Sequence, residues 1–167
     1  SVPRPGHADF VAHQKYGGHE DYRGGGHFSG RLTLVLVAAG VIAKKLMPGI
    51  SIQARITEIG GEPDIAKGLQ KAIDAKDSVG GIVECSASGL PHGLGEPFFD
   101  SVESLLSHAA FAIPAVRGVE FGTGFAAARM FGSEHNDAIE NMQGLTRSNH
   151  AGGVVGGISN GNELVYR

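Results

Sequence analysis

Residues 23–33 place three consecutive glycines before a histidine, a serine and an arginine, and they lead into a long apolar run. Because a helix N-terminus presents unpaired N–H groups and the positive end of the helix dipole, this segment could hold a phosphate group beside Arg31. The Lys-Ser/Thr ending of a Walker A loop does not follow the glycines. A plain loop capped by Ser29 fits the same residues. The segment therefore predicts either an anion site or a capped loop.

A second glycine pattern, GxGxxA, occupies residues 122–127 after a run that favours extended structure. In dinucleotide-binding proteins such a turn joins a strand to a helix, and an acidic residue about twenty positions later binds the ribose. Here that residue could only be Asp137 or Glu140. Because Asn136 and Asp137 together are typical of a turn, the pattern favours an ordinary turn over a nicotinamide site.

Histidines are frequent near the start of the chain and could supply acid–base or metal chemistry. Zinc sites need spacings such as HExxH or paired CxxC, and the sequence contains neither. We therefore predict no metal site. A single histidine that transfers a proton near neutral pH is favoured instead, because the ordinary imidazole pKa is about 6.5. The candidates are His7, His13, His19, His27, His92, His108, His135 and His150.

Two Gly-Gly pairs flank Val154 and Val155 within the segment 148–161. Glycines in a strand allow another group to approach the backbone closely, and that group could be a flat ring or simply a packed helix. Both interpretations fit the residues. A Ser-His-Asp hydrolase does not fit, because the GxSxG motif of a nucleophile elbow is absent.

Helices and strands are predicted to alternate along the chain, which indicates an α/β or α+β domain. Helical spacing occurs at 32–46, 64–76 and 101–112, and extended runs occur at 51–59, 79–88, 115–121 and 154–159. Asp64 and Asp100 stand where N-caps are expected. The apolar run 32–46 is shorter than the roughly 20 residues that cross a bilayer, so it predicts a core helix and no membrane partner.

The composition is that of one globular domain of 167 residues, with 27 glycines and 41% hydrophobic residues. No three-residue glycine period is present, which excludes collagen. The net charge of −3 forms no extended basic face, so no nucleic acid partner is expected. The one cysteine, Cys85, lies in an apolar run, and with no signal peptide recognised it favours a reducing cytoplasm.

Seven blocks along nearly the whole chain resemble the chorismate synthase family, and they occur in that family's order. They are Arg4-Pro-Gly-His7-Ala-Asp9, Lys15-Tyr-Gly17, Asp21-Tyr-Arg-Gly-Gly-Gly26, Ala38-Ala-Gly40 with Ile42-Ala-Lys-Lys45, Gly93-Leu-Gly-Glu-Pro97, Ile113-Pro-Ala-Val-Arg-Gly-Val-Glu120, and Asn149-His-Ala-Gly-Gly153 with Gly156-Gly-Ile-Ser-Asn-Gly161. Agreement of this many ordered blocks is far more specific than any single motif above.

The resemblance implies an activity and a cofactor. The reaction is loss of phosphate from 5-enolpyruvylshikimate 3-phosphate, with removal of a ring hydrogen, to give chorismate in aromatic amino acid biosynthesis. Reduced FMN is implied as the cofactor, and transient donation of an electron from it would ease departure of the phosphate. The implied fold is α+β, with helices held between antiparallel β-sheets. The implied assembly is a homotetramer.

The resemblance also assigns roles to individual residues. His7 corresponds to a catalytic histidine on the flavin side. Gly30 and Arg31 correspond to substrate-binding residues. Flavin contacts correspond to His27, Phe28, Ser29, Pro114, Ala115 and Gly156. Many family members read Arg-Ser-Ser followed by Ala-Arg-Glu-Thr at the triplet, so the His-Phe-Ser-Gly-Arg-Leu-Thr form here is a variant of that pattern.

Two further family motifs do not occur in this sequence: Gly-Glu-Ser-His-Gly near the start, and a later Lys-Pro-Thr segment with Arg/His-Asp-Pro. We therefore expect residues 1–167 to form a single chorismate synthase-like domain that is incomplete at both ends. The alternatives are a non-catalytic relative that binds flavin or serves as a subunit and, less favoured, an NAD-dependent oxidoreductase that uses residues 122–127.

Overall fold

The computed structural model describes residues 2–167, which form an α+β fold. The helices in this range are α1 (Asp9–Tyr16), α2 (Thr33–Leu46), α3 (Ile65–Ala75), α4 (Val102–Phe111) and α5 (Gly132–His135). The strands are β1 (Ser51–Ile59), β2 (Gly81–Ser88), β3 (Val154–Val155), β4 (Ile158–Ser159) and β5 (Leu164–Tyr166). Short 3-10 turns cover Arg23–Phe28, Gly30–Leu32, Phe98–Asp100 and Gly124–Arg129.

The main sheet is antiparallel, with strand order β1-β2-β5. Ala54 is paired with Cys85 on β2, and Cys85 is paired in turn with Tyr166 on β5. Strands β3 and β4, of two residues each, form a separate hairpin whose turn is Gly156-Gly157. Helices combined with antiparallel sheets confirm the α+β fold class, and the predicted strand 51–59 is confirmed with its bounds unchanged.

Helix α3 forms where the apolar spacing predicts it. The carboxylate of Asp64 caps its first turn by accepting a hydrogen bond from the backbone N–H of Lys67 at 3.1 Å. Gly68 on this helix is buried, and a Cβ there would collide with the carbonyl oxygen of Ile59 on β1. The absent side chain is therefore what lets α3 lie directly on the sheet.

The cap of α4 differs from the prediction. Ser101 is the N-cap, because its Oγ accepts a hydrogen bond from the backbone N–H of Ser104 at 3.1 Å. Asp100, which we predicted for this role, lies in the preceding 3-10 turn. A serine directly before the helix can reach the N–H three residues on, whereas the carboxylate one position earlier lies outside the first turn.

A small core lies between the sheet, the hairpin and α4. Its buried members are Ala87, Val154 and Leu164, and Ile52, Leu90, Val102, Leu106 and Tyr166 pack against them. The sequence predicts a core helix at 32–46; the helix forms, but the prediction that it is buried is wrong. No residue of α2 is buried, and Leu34 is 72% exposed. Apolar composition shows that a helix favours burial, but burial needs a facing surface, and residues 2–167 do not supply one for α2.

Two predicted strands are also wrong. Residues 115–121 form no strand, and only Phe121 makes an isolated bridge, to Tyr166. Residues 154–159 are split into β3 and β4, because Gly156 and Gly157 have positive φ values of 64° and 87° and turn the chain back on itself. Within residues 2–167 no helix is long and apolar enough to span a membrane.

Candidate active site

An open cleft of about 1130 Å³ lies between α1 and the glycine loop, which we define as residues 21–31. Phe10, Tyr16, Tyr22 and Phe28 contribute aromatic rings to its wall, and His27 lines it as well. The sequence-assigned residues His27 and Phe28 therefore face one cavity. Aromatic walls beside glycine backbone can accept a flat ring system.

His7 lies just before α1, in contact with a fixed carboxylate. Its Nδ1 is 2.7 Å from Oδ1 of Asp9. The guanidinium of Arg4 donates to both oxygens of that carboxylate, from Nε to Oδ2 at 2.8 Å and from Nη2 to Oδ1 at 2.8 Å. These Arg4 hydrogen bonds hold the pKa of Asp9 far below its usual range. The imidazole therefore faces a carboxylate that stays ionised.

The glycine loop approaches His7 at Gly25, which is buried. A Cβ at Gly25 would lie 3.2 Å from Nε2 of His7 and 3.4 Å from its Cε1. Gly26 adopts φ 52° and ψ −131°, a conformation that residues with a side chain avoid, and a Cβ there would collide with the carbonyl oxygen of Asp21. Glycine is thus required at both positions for the loop to lie against the histidine.

The residues after the glycines form a short turn that leads into α2. Oγ of Ser29 accepts a hydrogen bond from the backbone N–H of Arg31 at 3.3 Å, so the predicted capping role of Ser29 is confirmed. The guanidinium of Arg31 lies over Gly24, where a Cβ would be 3.4 Å from Nη1. Gly30 faces open space, since nothing lies within 4 Å of its Cβ position. This turn could hold an anionic group through Arg31 and open backbone.

The other assigned residues lie in a different part of the chain. Pro114 and Ala115 follow α4. Ala115 has φ 71°, in the left-handed region, which is energetically unfavourable for any residue other than glycine. Such conformations are found often at functional sites. Gly156 forms the hairpin turn, and its Cβ position is open. Among residues 2–167, no hydrogen bond or ion pair joins residues 2–46 to residues 51–167. The contacts therefore unite His7 with the glycine loop but not with Pro114, Ala115 or Gly156.

Asp137, a buried carboxylate near the hairpin, has a structural role that the sequence analysis does not predict. Asp137 accepts hydrogen bonds from Oγ of Ser148 at 2.7 Å and from the backbone N–H groups of His150 and Ala151 at 2.8 and 2.9 Å. It therefore anchors the segment that enters β3. The signal for this role is the adjacent Asn136-Asp137 pair, which is typical of turns whose side chains bind backbone N–H groups.

The nicotinamide interpretation of residues 122–127 loses its structural basis. The strand that should precede the glycines is absent, and a 3-10 turn (Gly124–Arg129) follows them. The Glu120 side chain closes this turn by accepting a hydrogen bond from the N–H of Phe125 at 3.1 Å. Because a carboxylate already occupies the position where a pyrophosphate would bind, these residues act as an ordinary turn.

Comparison with known proteins finds relatives of the whole chain. A family model described as chorismate synthase matches residues 1–167. A chorismate synthase from Chitinophaga pinensis is 72% identical over 166 residues, which cover 99% of this chain and 50% of that protein. A chorismate synthase from Korarchaeum cryptofilum is 45% identical, with coverage of 99% and 54%.

A solved structure, a crystal structure of chorismate synthase, superposes with a TM-score of 0.87 at 28% identity. The superposition covers 95% of this chain and 60% of that one. The chain thus spans about half the length of the curated relatives it matches. Since the family match extends over every residue, this chain belongs to the chorismate synthase family.

Proposed function

We propose that this chain contributes to a chorismate synthase active site, at which phosphate is eliminated from 5-enolpyruvylshikimate 3-phosphate to form chorismate. The observation that carries the proposal is the family match over residues 1–167. The contacts of His7 with Asp9 and with Gly25 support it, because Asp9 and Gly25 both line the cleft, although His7 is not itself among the lining residues. This arrangement suits proton exchange next to a bound ring.

The residues present fit reduced FMN as the cofactor. When bound, reduced FMN would supply the electron that eases loss of phosphate and would take up the hydrogen from the ring. Gly24 and Gly25 line the cleft without side chains, so a planar ligand could approach their backbone closely. His27 and Phe28 line the adjoining cleft, and Ser29 provides a hydroxyl. These residues would hold the cofactor on one side.

The proposed substrate carries carboxylates and a phosphate, so it needs fixed cations. Arg31 projects over Gly24, and the open position of Gly30 leaves room beside it. A guanidinium binds carboxylate or phosphate through two parallel hydrogen bonds. We assign Arg31 and Gly30 to substrate binding and His7 to proton exchange.

The complete site needs protein surface in addition to residues 1–167. Pro114, Ala115 and Gly156 belong to the same proposed flavin site but make no hydrogen bond or ion pair with the His7 region in the described residues. The apolar side chains of α2 are also uncovered. Both observations are explained if further segments, and the homotetramer expected for this cytoplasmic enzyme, bring the two halves of the site together.

A chimera tests the proposal directly. Residues 2–167 would replace the matching half of the Chitinophaga pinensis relative, and chorismate formation would be measured with 5-enolpyruvylshikimate 3-phosphate and reduced FMN. We expect turnover by the chimera, and none by the 167-residue chain alone. A folded chimera that binds FMN but forms no chorismate would show instead that the chain is a non-catalytic flavin-binding relative. Turnover by the chain alone would refute the need for further surface.

Two substitutions in the chimera separate the assigned roles. His7→Ala should lower kcat by at least 100-fold while leaving FMN binding intact, because proton transfer by a positioned side chain contributes about 10²–10⁴-fold. Arg31→Ala should raise the Kd for the substrate more than the Kd for FMN. Unchanged kcat in the first variant, or a larger effect on FMN in the second, would contradict the assignments.

A further inference from the structure

The carboxylate of Asp9 is held in place by more donors than an exposed aspartate usually has. The backbone N–H of Arg4 donates to Oδ2 at 3.0 Å, and the Arg4 side chain donates to both oxygens. A bidentate guanidinium fixes the plane of a carboxylate as well as its position. The Oδ1 atom that lies 2.7 Å from Nδ1 of His7 is therefore held by Arg4.

The 2.7 Å separation decides which nitrogen of His7 carries the proton in the neutral ring. If Nδ1 were unprotonated, a nitrogen with partial negative charge would lie 2.7 Å from an ionised oxygen, and the two would repel. Nη2 of Arg4 approaches both ring nitrogens, Nδ1 at 3.3 Å and Nε2 at 3.5 Å, and it already donates to Asp9. The shorter contact with the anion prevails, so Nδ1 is protonated and the lone pair resides on Nε2.

In this tautomer the unprotonated nitrogen of His7 is the one that lies next to the glycine loop. Nε2 and Cε1 are the atoms of His7 that face Gly25 of the glycine loop. Orientation of a catalytic imidazole by a carboxylate at Nδ1 is a general device that leaves Nε2 to accept and return a proton. In that device the carboxylate acts through the histidine and does not touch the reacting atoms.

We propose that Asp9 is a positioning residue, clamped by Arg4, that keeps His7 in the Nδ1–H form with Nε2 directed at the glycine loop. The catalytic consequence rests on the proposed function, whereas the tautomer does not. The two can therefore be tested separately.

The tautomer test uses the 167-residue chain with ¹⁵N-labelled histidine, whose Nδ1 and Nε2 chemical shifts report the position of the proton. We expect the Nδ1–H form for His7 in the unaltered chain and a shift toward the Nε2–H form in Asp9→Asn. Glu20→Gln is the matched control, because Oε1 of Glu20 contacts Nδ1 of His13 at 2.9 Å in the same region. It should change the His13 shifts and leave those of His7 unaltered. An Nε2–H form of His7 in the unaltered chain, or no change in Asp9→Asn, would overturn the inference.

Kinetics of the chimera test the consequence. Asp9→Asn should lower kcat at least tenfold with KM changed less than twofold, and Asp9→Glu should recover part of the loss because it restores a carboxylate. Wild-type kcat in Asp9→Asn, alongside a collapse in His7→Ala, would refute the positioning role. If the chimera without these substitutions makes no chorismate, the proposed function fails, and the ¹⁵N shifts of the chain alone decide the inference.

Discussion

Asp137 offers a test of how much one buried carboxylate contributes to the hairpin that carries Gly156. Its side chain is only 6% exposed. Oδ1 accepts from the hydroxyl of Ser148 and the N–H of His150, and Oδ2 accepts from the N–H of Ala151. Neither backbone N–H donates to any other acceptor among residues 2–167, so the cost of removing each oxygen can be assigned separately.

Asp137→Asn keeps one oxygen and replaces the other with an NH₂ group. With its oxygen at the Oδ1 position, the amide still accepts from Ser148 and His150 but points a donor at the N–H of Ala151. One unsatisfied buried N–H costs about 1–3 kcal/mol, so the free energy of unfolding should fall by about that amount. Asp137→Ala removes both acceptors from two N–H groups and should cost about 2–6 kcal/mol on the same scale.

Urea unfolding of the chain at pH 7, followed by circular dichroism, measures these differences. Glu140→Gln is the control, because Glu140 and its partner Arg147 are both exposed and such pairs contribute about 0–1 kcal/mol. Equal stability of Asp137→Asn and the unaltered chain, within about 0.5 kcal/mol, would refute the reasoning, because an unpaired buried donor costs about 1 kcal/mol or more.

The role of Asp137 also predicts how the stability of the chain changes with pH. Burial acts to raise the pKa of Asp137, but the hydrogen bonds from Ala151, Ser148 and His150 outweigh it and leave the pKa below its usual value. A lowered pKa in the folded state means that the stabilisation is present above the unfolded value of about 3.9 and is lost as the pH falls through the folded value. The stability gap between the unaltered chain and Asp137→Asn should therefore close in acid. A gap that stays constant from pH 7 to below the folded pKa would contradict this.

Two further predictions concern the helices and the sheet. Gly68→Ala should destabilise the chain by about 1–2 kcal/mol, because overpacking against Ile59 outweighs the gain in helix propensity. Gly40→Ala in α2 should stabilise the chain by about 0.5–1 kcal/mol, because a Cβ there would meet open space. Urea unfolding measures both changes. If the two substitutions changed the free energy of unfolding in the same direction, the packing argument would be contradicted. Burial, with a smaller contribution from Cys85, raises the pKa of Tyr166 to about 12, so stability should fall as the pH rises from about 10 towards 12. An absorbance titration should show a late phenol transition that Tyr166→Phe abolishes, and no late transition would contradict the burial.

Local patterns predicted the elements whose formation depends on neighbours in sequence. The extended run at 51–59 predicted β1, and the apolar spacing after Asp64 predicted α3 with its cap. Both signals are local: a run of residues that favour extended structure for β1, and for α3 a helical spacing with a cap hydrogen bond that spans three residues. Prediction failed for 115–121, because extended propensity cannot reveal whether a partner strand is available, and only Phe121 finds one.

The sequence alone determined the family, through ordered blocks of residues, and it placed the glycines that the loop needs. Tertiary structure decided which of those residues meet. It brought Gly25 against His7, left α2 without a covering surface, and used Asp137 as an anchor for the hairpin. Contacts between distant residues depend on how whole elements pack, and propensity and spacing carry no information about a surface that lies elsewhere in the chain. The pairing of Asp9 with His7 is the local exception, because a two-residue separation and the fork of Arg4 suffice to fix it.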